Sequence, residues 1–422
     1  MSNKSKRNLY LLTDSFPYGR GEKSFIMPEL PYLQERFCVT IISCATQKDR
    51  QNQELETALE PDIQVAYCEK EAVKGLEVLR YLFAFVSDRK CWGELKRIFT
   101  ERKLLLRRTK ACLFFYANAI KFKRWLTKSW LLDENGLYYS YWYNYHVMSL
   151  IMLRKSVGKI ITRAHGYDLY EDRAKYGWQP YKRLMDQNVD RVVFISKHGY
   201  DYYMEHFAFD KDSIDKYYVC RLGTAKQESK DSNVDRDFFL LVSCSRVILV
   251  KRVWLIVRAL SKINSYQIKW VHFGDGDLLE EVRMDAEKLL GNKDNIVFEF
   301  KGSCSNQEVL SYYRKNVPDA IIMTSKSEGS PVALQEALSF GIPIIATAVG
   351  GIPELIDSNG ILLAPNPSTV QIADAIVTLC EMDKEKLIEM KERSLEMWRK
   401  DYNIDDNMRG FINCLEELVG EK

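Results

Sequence analysis

Ser325-Lys326-Ser327-Glu328-Gly329-Ser330-Pro331-Val332-Ala333-Leu334-Gln335-Glu336-Ala337-Leu338-Ser339-Phe340-Gly341 is the stretch on which the fold turns. Ala320 to Thr324 before it and Pro343 to Thr347 after it are short apolar runs of the kind that form buried parallel strands. The order is therefore strand, loop, helix, strand. Ser330 is a good N-cap, Pro331 suits the first helical position where a missing N–H costs nothing, and Gly341 suits the far end. Such a helix offers unpaired N–H groups and its positive dipole end to a phosphate, beside the flexible Gly329. Glu328 and Glu336 flank this anion site with seven residues between them. Carboxylates do not suit a phosphate, so they point to hydroxyls of an attached sugar or ribose. Taken alone, the segment also reads as an ordinary βαβ unit with a capped helix and solvated acids.

The longer string separates these readings. Ser327-Glu328-Gly329-Ser330-Pro331, then Glu336-Ala337, Gly341-Ile342-Pro343, Ala346 and Gly350-Gly351-Ile352-Pro353-Glu354-Leu355 resembles the donor-site signature of the retaining family 4 glycosyltransferases (glycosyltransferase group 1). The resemblance implies an α/β chain of GT-B fold, two Rossmann-like domains facing a central cleft with a C-terminal helix crossing back to the first. It implies Glu328 on sugar hydroxyls, Glu336 on the ribose, and Gly329, Ser330, Pro331 and Val332 around the phosphates. It is silent about the sugar.

A chain of 422 residues exceeds one core and fits two domains. The expected division is 1–226 for an acceptor-side domain, 227–400 for a nucleotide-sugar domain and 401–422 for the crossing helix, with the polar stretch 225–236 as linker. The ten cysteines form no CxxC pair and no Cys/His metal spacing, as in a reduced cytoplasmic protein. The first eight residues are polar and lack a signal-peptide core. No run of 18 apolar residues is present to span a membrane. The net charge of +3 hides an asymmetry: Lys74 to Lys128 carries 15 Lys/Arg against four acids, +11, which leaves −8 for the rest.

Taken in order, Leu9 to Thr13 is a first strand. The loop after it holds Gly19, Gly21 and Glu22, and an amphipathic helix follows through Leu30. Ser24 stands where a dinucleotide fingerprint needs its third glycine, so that reading fails. The loop is either a plain connection or a cleft loop with Glu22 near donor or acceptor. Val39 to Cys44 and Ile63 to Cys68 are the next strands, separated by a polar, mobile segment from Gln47 to Gln53. The basic segment 74–130 interleaves Leu, Phe, Tyr and Trp with Lys and Arg at helical spacing. It suits a membrane interface, with Arg102, Lys103, Arg107 and Arg108 as the densest cluster on anionic head groups. A solvated face is the alternative, and a nucleic-acid surface is disfavoured because no binding motif accompanies the charge.

Leu137 to Trp142 and Lys159 to Arg163 are strands, and His165-Gly166 follows the second, where open α/β sheets place their ligands. A lone histidine is more often structural, but His165-Gly166-Tyr167-Asp168 resembles the family's His-Gly-x-Asp element, in which the histidine reaches the donor sugar. Arg191 to Ser196 and Tyr217 to Leu222 complete about seven strands. In the second half, Arg246 at a strand end and Lys251 entering a helix suit a diphosphate, a fork and a point charge. Gly274 follows the strand Ile268 to Phe273, and Gly302 and Ser303 follow Ile296 to Phe300. The family packs its donor against these turns.

The implied reaction moves a sugar from a UDP- or GDP-linked donor to a hydroxyl of a saccharide acceptor, with retention. No cofactor and no metal are required, since side-chain cations meet the phosphates. His165, Glu328, Arg246 and Lys251 form the catalytic set. A basic aromatic face implies an acceptor linked to a polyprenyl carrier, on the anionic inner face of the plasma membrane, in surface-polysaccharide assembly. Two other readings stay open, a GT-B nucleotide-sugar epimerase and a non-catalytic sugar-nucleotide or membrane scaffold.

Overall fold

The computed structural model describes residues 6–51, 59–209, 213–227 and 236–420. The chain forms two compact α/β units, one of residues up to Cys220 together with those from Met408 onward, the other Arg221–Asn407. Both are Rossmann-like, with one parallel sheet each.

The first sheet comprises β1 (Arg7–Thr13), β2 (Phe37–Ser43), β3 (Gln64–Tyr67), β4 (Leu137–Ser140), β5 (Lys159–Ala164), β6 (Arg191–Phe194) and β7 (Tyr217–Val219), in the order β3-β2-β1-β4-β5-β6-β7. Leu9 and Leu11 on one face of β1 and Tyr10 and Leu12 on the other are all buried, which is why the strand is apolar without alternation. The second sheet comprises β8 (Phe239–Cys244), β9 (Ile268–Phe273), β10 (Ile296–Phe300), β11 (Ala320–Met323), β12 (Ile344–Thr347) and β13 (Gly360–Leu363), ordered β10-β9-β8-β11-β12-β13. Each order reverses direction once, between β1 and β4 in the first sheet and between β8 and β11 in the second. Loops diverge at such a point, and a crevice opens beyond the carboxyl ends of the strands.

Several expectations need correction. After the glycine loop the chain makes a single turn, Lys23–Ile26, and then a separate helix, Leu30–Arg36. Gln47–Arg50 is a helical turn closed by a Thr46/Asp49 capping box; positions 52 and 53 of the segment read as mobile lie outside the described residues, as does 228–235 of the linker.

The basic segment folds into helices Glu77–Ser87, Arg89–Glu101 and Leu105–Lys128. Tyr81, Phe85, Ile98, Tyr116 and Phe122 turn into the core, whereas Phe83, Trp92, Phe99 and Leu106 stay exposed. Arg102, Lys103 and Arg107 are exposed. Arg108 is not part of that surface. It is 7% exposed, pairs with Glu101 at 2.6 Å, donates to the carbonyls of Tyr176 and Gly177, and lies over the Trp178 ring. Its guanidinium joins a helix to a loop some 70 positions later, a contact that helical spacing does not encode.

From Met408 the final helix, Ile404–Val419, packs within the first unit. Phe411 lies under the Arg163 guanidinium at 4.4 Å, and Arg191 donates to the Cys414 carbonyl.

Candidate active site

In the second unit the predicted residues gather around the reversal between β8 and β11. The backbone of Val250–Arg252, which follows β8, is tied to Thr324–Lys326, which follows β11: the Lys326 N–H donates to Val250 at 2.7 Å and Thr324 Oγ1 to Arg252 at 3.0 Å. Arg252 reinforces the joint from below, donating to the carbonyls of Thr324, Ser325 and Pro365. Two loops far apart in sequence thus form one rigid wall. On it Lys251 Nζ meets Glu328 Oε1 at 2.5 Å, with Glu328 buried. Arg246, on the same loop as Lys251, is exposed; its carbonyl accepts from the Ile248 N–H, and among the described residues no hydrogen bond or ion pair engages its guanidinium.

The loop carrying Glu328 is fixed by a backbone approach only glycine permits. Gly350 has φ +55°, and a Cβ there would lie 1.8 Å from the Glu328 carbonyl; the adjacent Gly351 N–H donates to Gly329. Gly274 likewise sits at φ +136° against the Ser245 carbonyl, and its N–H donates to Gly302 at 2.8 Å. Gly274, Gly302 and the exposed Ser303 therefore lie at the carboxyl edge beside the Arg246 loop.

The helix is Val332–Ser339, one residue later than its sequence suggests. Pro331 is its N-cap, and the Ser330 hydroxyl does not cap it but accepts from Gln335 Nε2 at 2.9 Å. Gly341, at φ +71°, ends the turn as expected. Glu336 is buried on this helix and receives Asn306 Nδ2 at 2.5 Å. Burial pushes its carboxyl up to about 7, against the opposing Asn306 hydrogen bond. If ribose hydroxyls donate to the carboxylate, nucleotide binding must expel the proton held below pH 7. Affinity for a nucleoside diphosphate then falls by up to about tenfold per pH unit between pH 7 and 5. Glu336→Gln should flatten that profile in calorimetric titrations.

In the first unit His165 follows β5. Its backbone N–H donates to Asp168 Oδ1 at 2.8 Å, and Asp168 Oδ2 accepts from the Tyr143 N–H at 2.9 Å, so one buried carboxylate joins the loops after β5 and β4. Burial opposes ionisation of Asp168, yet its hydrogen bond and charge contact with His165, aided by Lys182 and the Tyr143 N–H, hold its pKa below the ordinary value. The imidazole packs on Trp142 at 4.3 Å; Nδ1 stands 3.7 Å from Asp168 Oδ2, a charge contact longer than a hydrogen bond, and Nε2 is buried without a hydrogen-bond partner. An imidazole held this way has unmet capacity for a ligand.

Glu22 has a different role from the one expected. Its buried carboxylate accepts from the backbone N–H groups of Asp14, Ser15 and Phe16, from Ser15 Oγ and from Trp142 Nε1. It holds the glycine loop in shape and has little capacity left for substrate. Gly19 is required by space, since a Cβ would lie 2.2 Å from Ser15 Oγ; Gly21 has nothing within 4 Å.

Residues 224–397 match the family model of the glycosyl transferases group 1. The second unit belongs to that family. Among curated relatives, N-acetyl-alpha-D-glucosaminyl L-malate synthase of Bacillus anthracis is 29% identical over 271 residues, 60% of this chain and 66% of that protein. The putative colanic acid biosynthesis glycosyltransferase WcaL of Escherichia coli is 36% identical over 93 residues, 22% and 23% of the two chains. The chain thus spans less than two thirds of these relatives' own length. Among solved structures, the lipopolysaccharide outer core galactosyltransferase WaaB aligns with a TM-score of 0.67 at 14% identity, covering 97% of this chain and 99% of that one. Anabaena HepE, solved with UDP and glucose, aligns at 0.66 and 16%, covering 97% and 100%. At such identity the likeness is one of fold, and it places this group 1 domain in a chain of GT-B architecture.

Sequence reasoning passed over Asn306, which orients Glu336, and Arg252, which holds the wall under Lys251. Neither has a local signature. Their partners lie 30 and more than 70 positions away.

Proposed function

We propose that the protein is a retaining glycosyltransferase that moves a hexosyl group from a UDP- or GDP-sugar to a hydroxyl of a saccharide acceptor. The observation that carries this is the Lys251–Glu328 pair at the β8/β11 reversal. Without a donor each group neutralises the other. A nucleoside diphosphate sugar offers each a better partner, the diphosphate for Lys251 and sugar hydroxyls for Glu328, so both halves of the donor are recognised together. Arg246 adds a fork to the phosphates, the first N–H groups of Val332–Ser339 add their dipole, and Glu336 takes the ribose. His165 bonds the sugar through a ring nitrogen.

As the bond from C1 to the phosphate oxygen breaks, negative charge grows on the diphosphate, and the two cations stabilise it more in the transition state than in the ground state. The acceptor oxygen bonds to C1 on the same face through an oxocarbenium-like state, and its hydroxyl proton passes to the departing phosphate oxygen. No second carboxylate is needed as a nucleophile. Side-chain cations carry the countercharge, so the proposed chemistry uses neither metal nor cofactor. The test is thermal shift with UDP-, GDP- and ADP-sugars. At 100 times Kd a ligand adds about 2.7 kcal/mol. One nucleotide class should stabilise the wild type and fail to stabilise Arg246→Ala. No shift from any class would favour the scaffold reading, and isomerisation of the donor alone would favour the epimerase.

The acceptor is proposed to be lipid-linked, presented at an anionic inner leaflet during surface-polysaccharide assembly. Supporting this, the helices of the basic segment expose Phe83 (78%), Trp92 (61%) and Leu106 (88%), and the cations Arg102, Lys103 and Arg107 are exposed as well. Each cation near such a surface contributes about 1 kcal/mol. Arg102→Glu/Lys103→Glu/Arg107→Glu, leaving Arg108 in place, should abolish co-sedimentation with vesicles rich in anionic lipid and keep the thermal midpoint. Undiminished sedimentation would remove the membrane from the proposal.

A further inference from the structure

The reversal in the second sheet is occupied by the donor machinery just described, but the equivalent point in the first sheet, between β1 and β4, has its own side chains and no role so far. Asp14 follows β1 and Asn144 follows β4. Asn144 Nδ2 donates to Asp14 Oδ1 at 2.9 Å, bridging the two loops at the crevice. The other oxygen of Asp14 is poorly satisfied: Tyr167 Oη stands 3.5 Å away and Lys70 Nζ 3.9 Å. The Tyr167 ring lies 4.9 Å from Trp142 and is 44% exposed, an aromatic surface left open beside a carboxylate with spare acceptor capacity.

We infer that Asp14, Asn144, Tyr167 and Trp142 form a binding site for a neutral hexopyranose, the acceptor sugar. A pyranose has an apolar C–H face that packs on an aromatic ring and a rim of hydroxyls that donate to a carboxylate and bond with an amide. Those are the groups assembled here. An anionic ligand is disfavoured because Glu22 and Asp168 add two more carboxylates to the same loops. Burial also raises the Asp14 pKa, with Asp168 contributing in the same direction. A hydroxyl donating to Asp14 meets the partner that Lys70 and Tyr167 supply only at long range. Trp142 ties the site to His165, on whose ring it packs. The role as acceptor site rests on the glycosyl-transfer reading; the binding of sugar does not.

The test is saturation-transfer NMR on the full chain without nucleotide, using the methyl glycosides of glucose, galactose, mannose and N-acetylglucosamine at millimolar concentration. At least one should be saturated by the wild type. Tyr167→Ala and Asp14→Asn should each weaken the signal at least tenfold, and Tyr167→Phe should retain it. The exposed position of Tyr167 keeps its variants informative if Asp14→Asn folds poorly. No saturation in the wild type, or a signal that survives Tyr167→Ala, would overturn the site. If a glycoside binds as described while no nucleotide sugar shifts the melting midpoint, the sugar site stands and the transferase reading falls.

Discussion

Lys251→Ala should lower glycosyl transfer by about 10²–10³-fold, the scale seen when a group aimed at developing charge is removed. It should also lower stability, since it strands the buried Glu328 carboxylate with no counter-ion 2.5 Å away. The cost of leaving such a group unpaired is about 1–3 kcal/mol. The two effects separate in the double variant Lys251→Ala/Glu328→Gln. Replacing the carboxylate by an amide removes the stranded charge, so much of the stability returns. Turnover does not return, because both the phosphate cation and the sugar-orienting carboxylate are missing. Turnover and thermal midpoint measured across the wild type, Lys251→Ala, Glu328→Gln and the double variant give the coupling directly. If Lys251→Ala keeps wild-type turnover, the diphosphate does not rest on this lysine. If turnover recovers along with stability in the double variant, the pair is structural only.

The largest effect on stability alone is expected at Arg163. This side chain is 1% exposed beneath the first sheet; it pairs with the equally enclosed Glu29 and packs over Phe411 of the final helix. Burial by itself would lower the arginine pKa, and the charge of Glu29 raises it well above the ordinary value instead. Removing one partner of such a pair costs about 3–5 kcal/mol, because the other charge is left in a medium that cannot solvate it. Arg163→Met should therefore lower the unfolding midpoint of the first unit by about 6–20 °C. Arg163→Met/Glu29→Leu should lose less than Arg163→Met alone, since an apolar pair leaves no orphaned charge. Calorimetry of the two variants decides it: a change below about 1 kcal/mol in the single variant would mean that water reaches the pair.

Both predictions depend on pairs that no local pattern discloses. Glu29 and Arg163 are 134 positions apart, and Lys251 and Glu328 are 77 apart. The basic segment makes the same point from the other side. Spacing marked four cations as one surface cluster, and three of them are exposed. The fourth, Arg108, is buried because Glu101, Trp178 and two loop carbonyls converge on it. Glu22 was legible as a member of a glycine loop at a strand end. Its hydrogen bonds to three backbone N–H groups and to Trp142 depend on how that loop closes.

Local chemistry is legible in the order of the residues. Unbroken apolar runs specify strands buried on both faces, Gly341 specifies a left-handed end to its helix, and the string from Ser327 to Leu355 specifies the family of the second unit. Tertiary structure alone decided which charges meet. It set Lys251 on Glu328 and Asn306 on Glu336, and it left His165 Nε2 buried without a partner, with Nδ1 3.7 Å from Asp168. The physical reason is range. Capping, turn formation and strand burial are settled among residues a few positions apart, whereas a parallel sheet brings its loops together only after crossover connections, so partners at its carboxyl edge are separated by tens of residues.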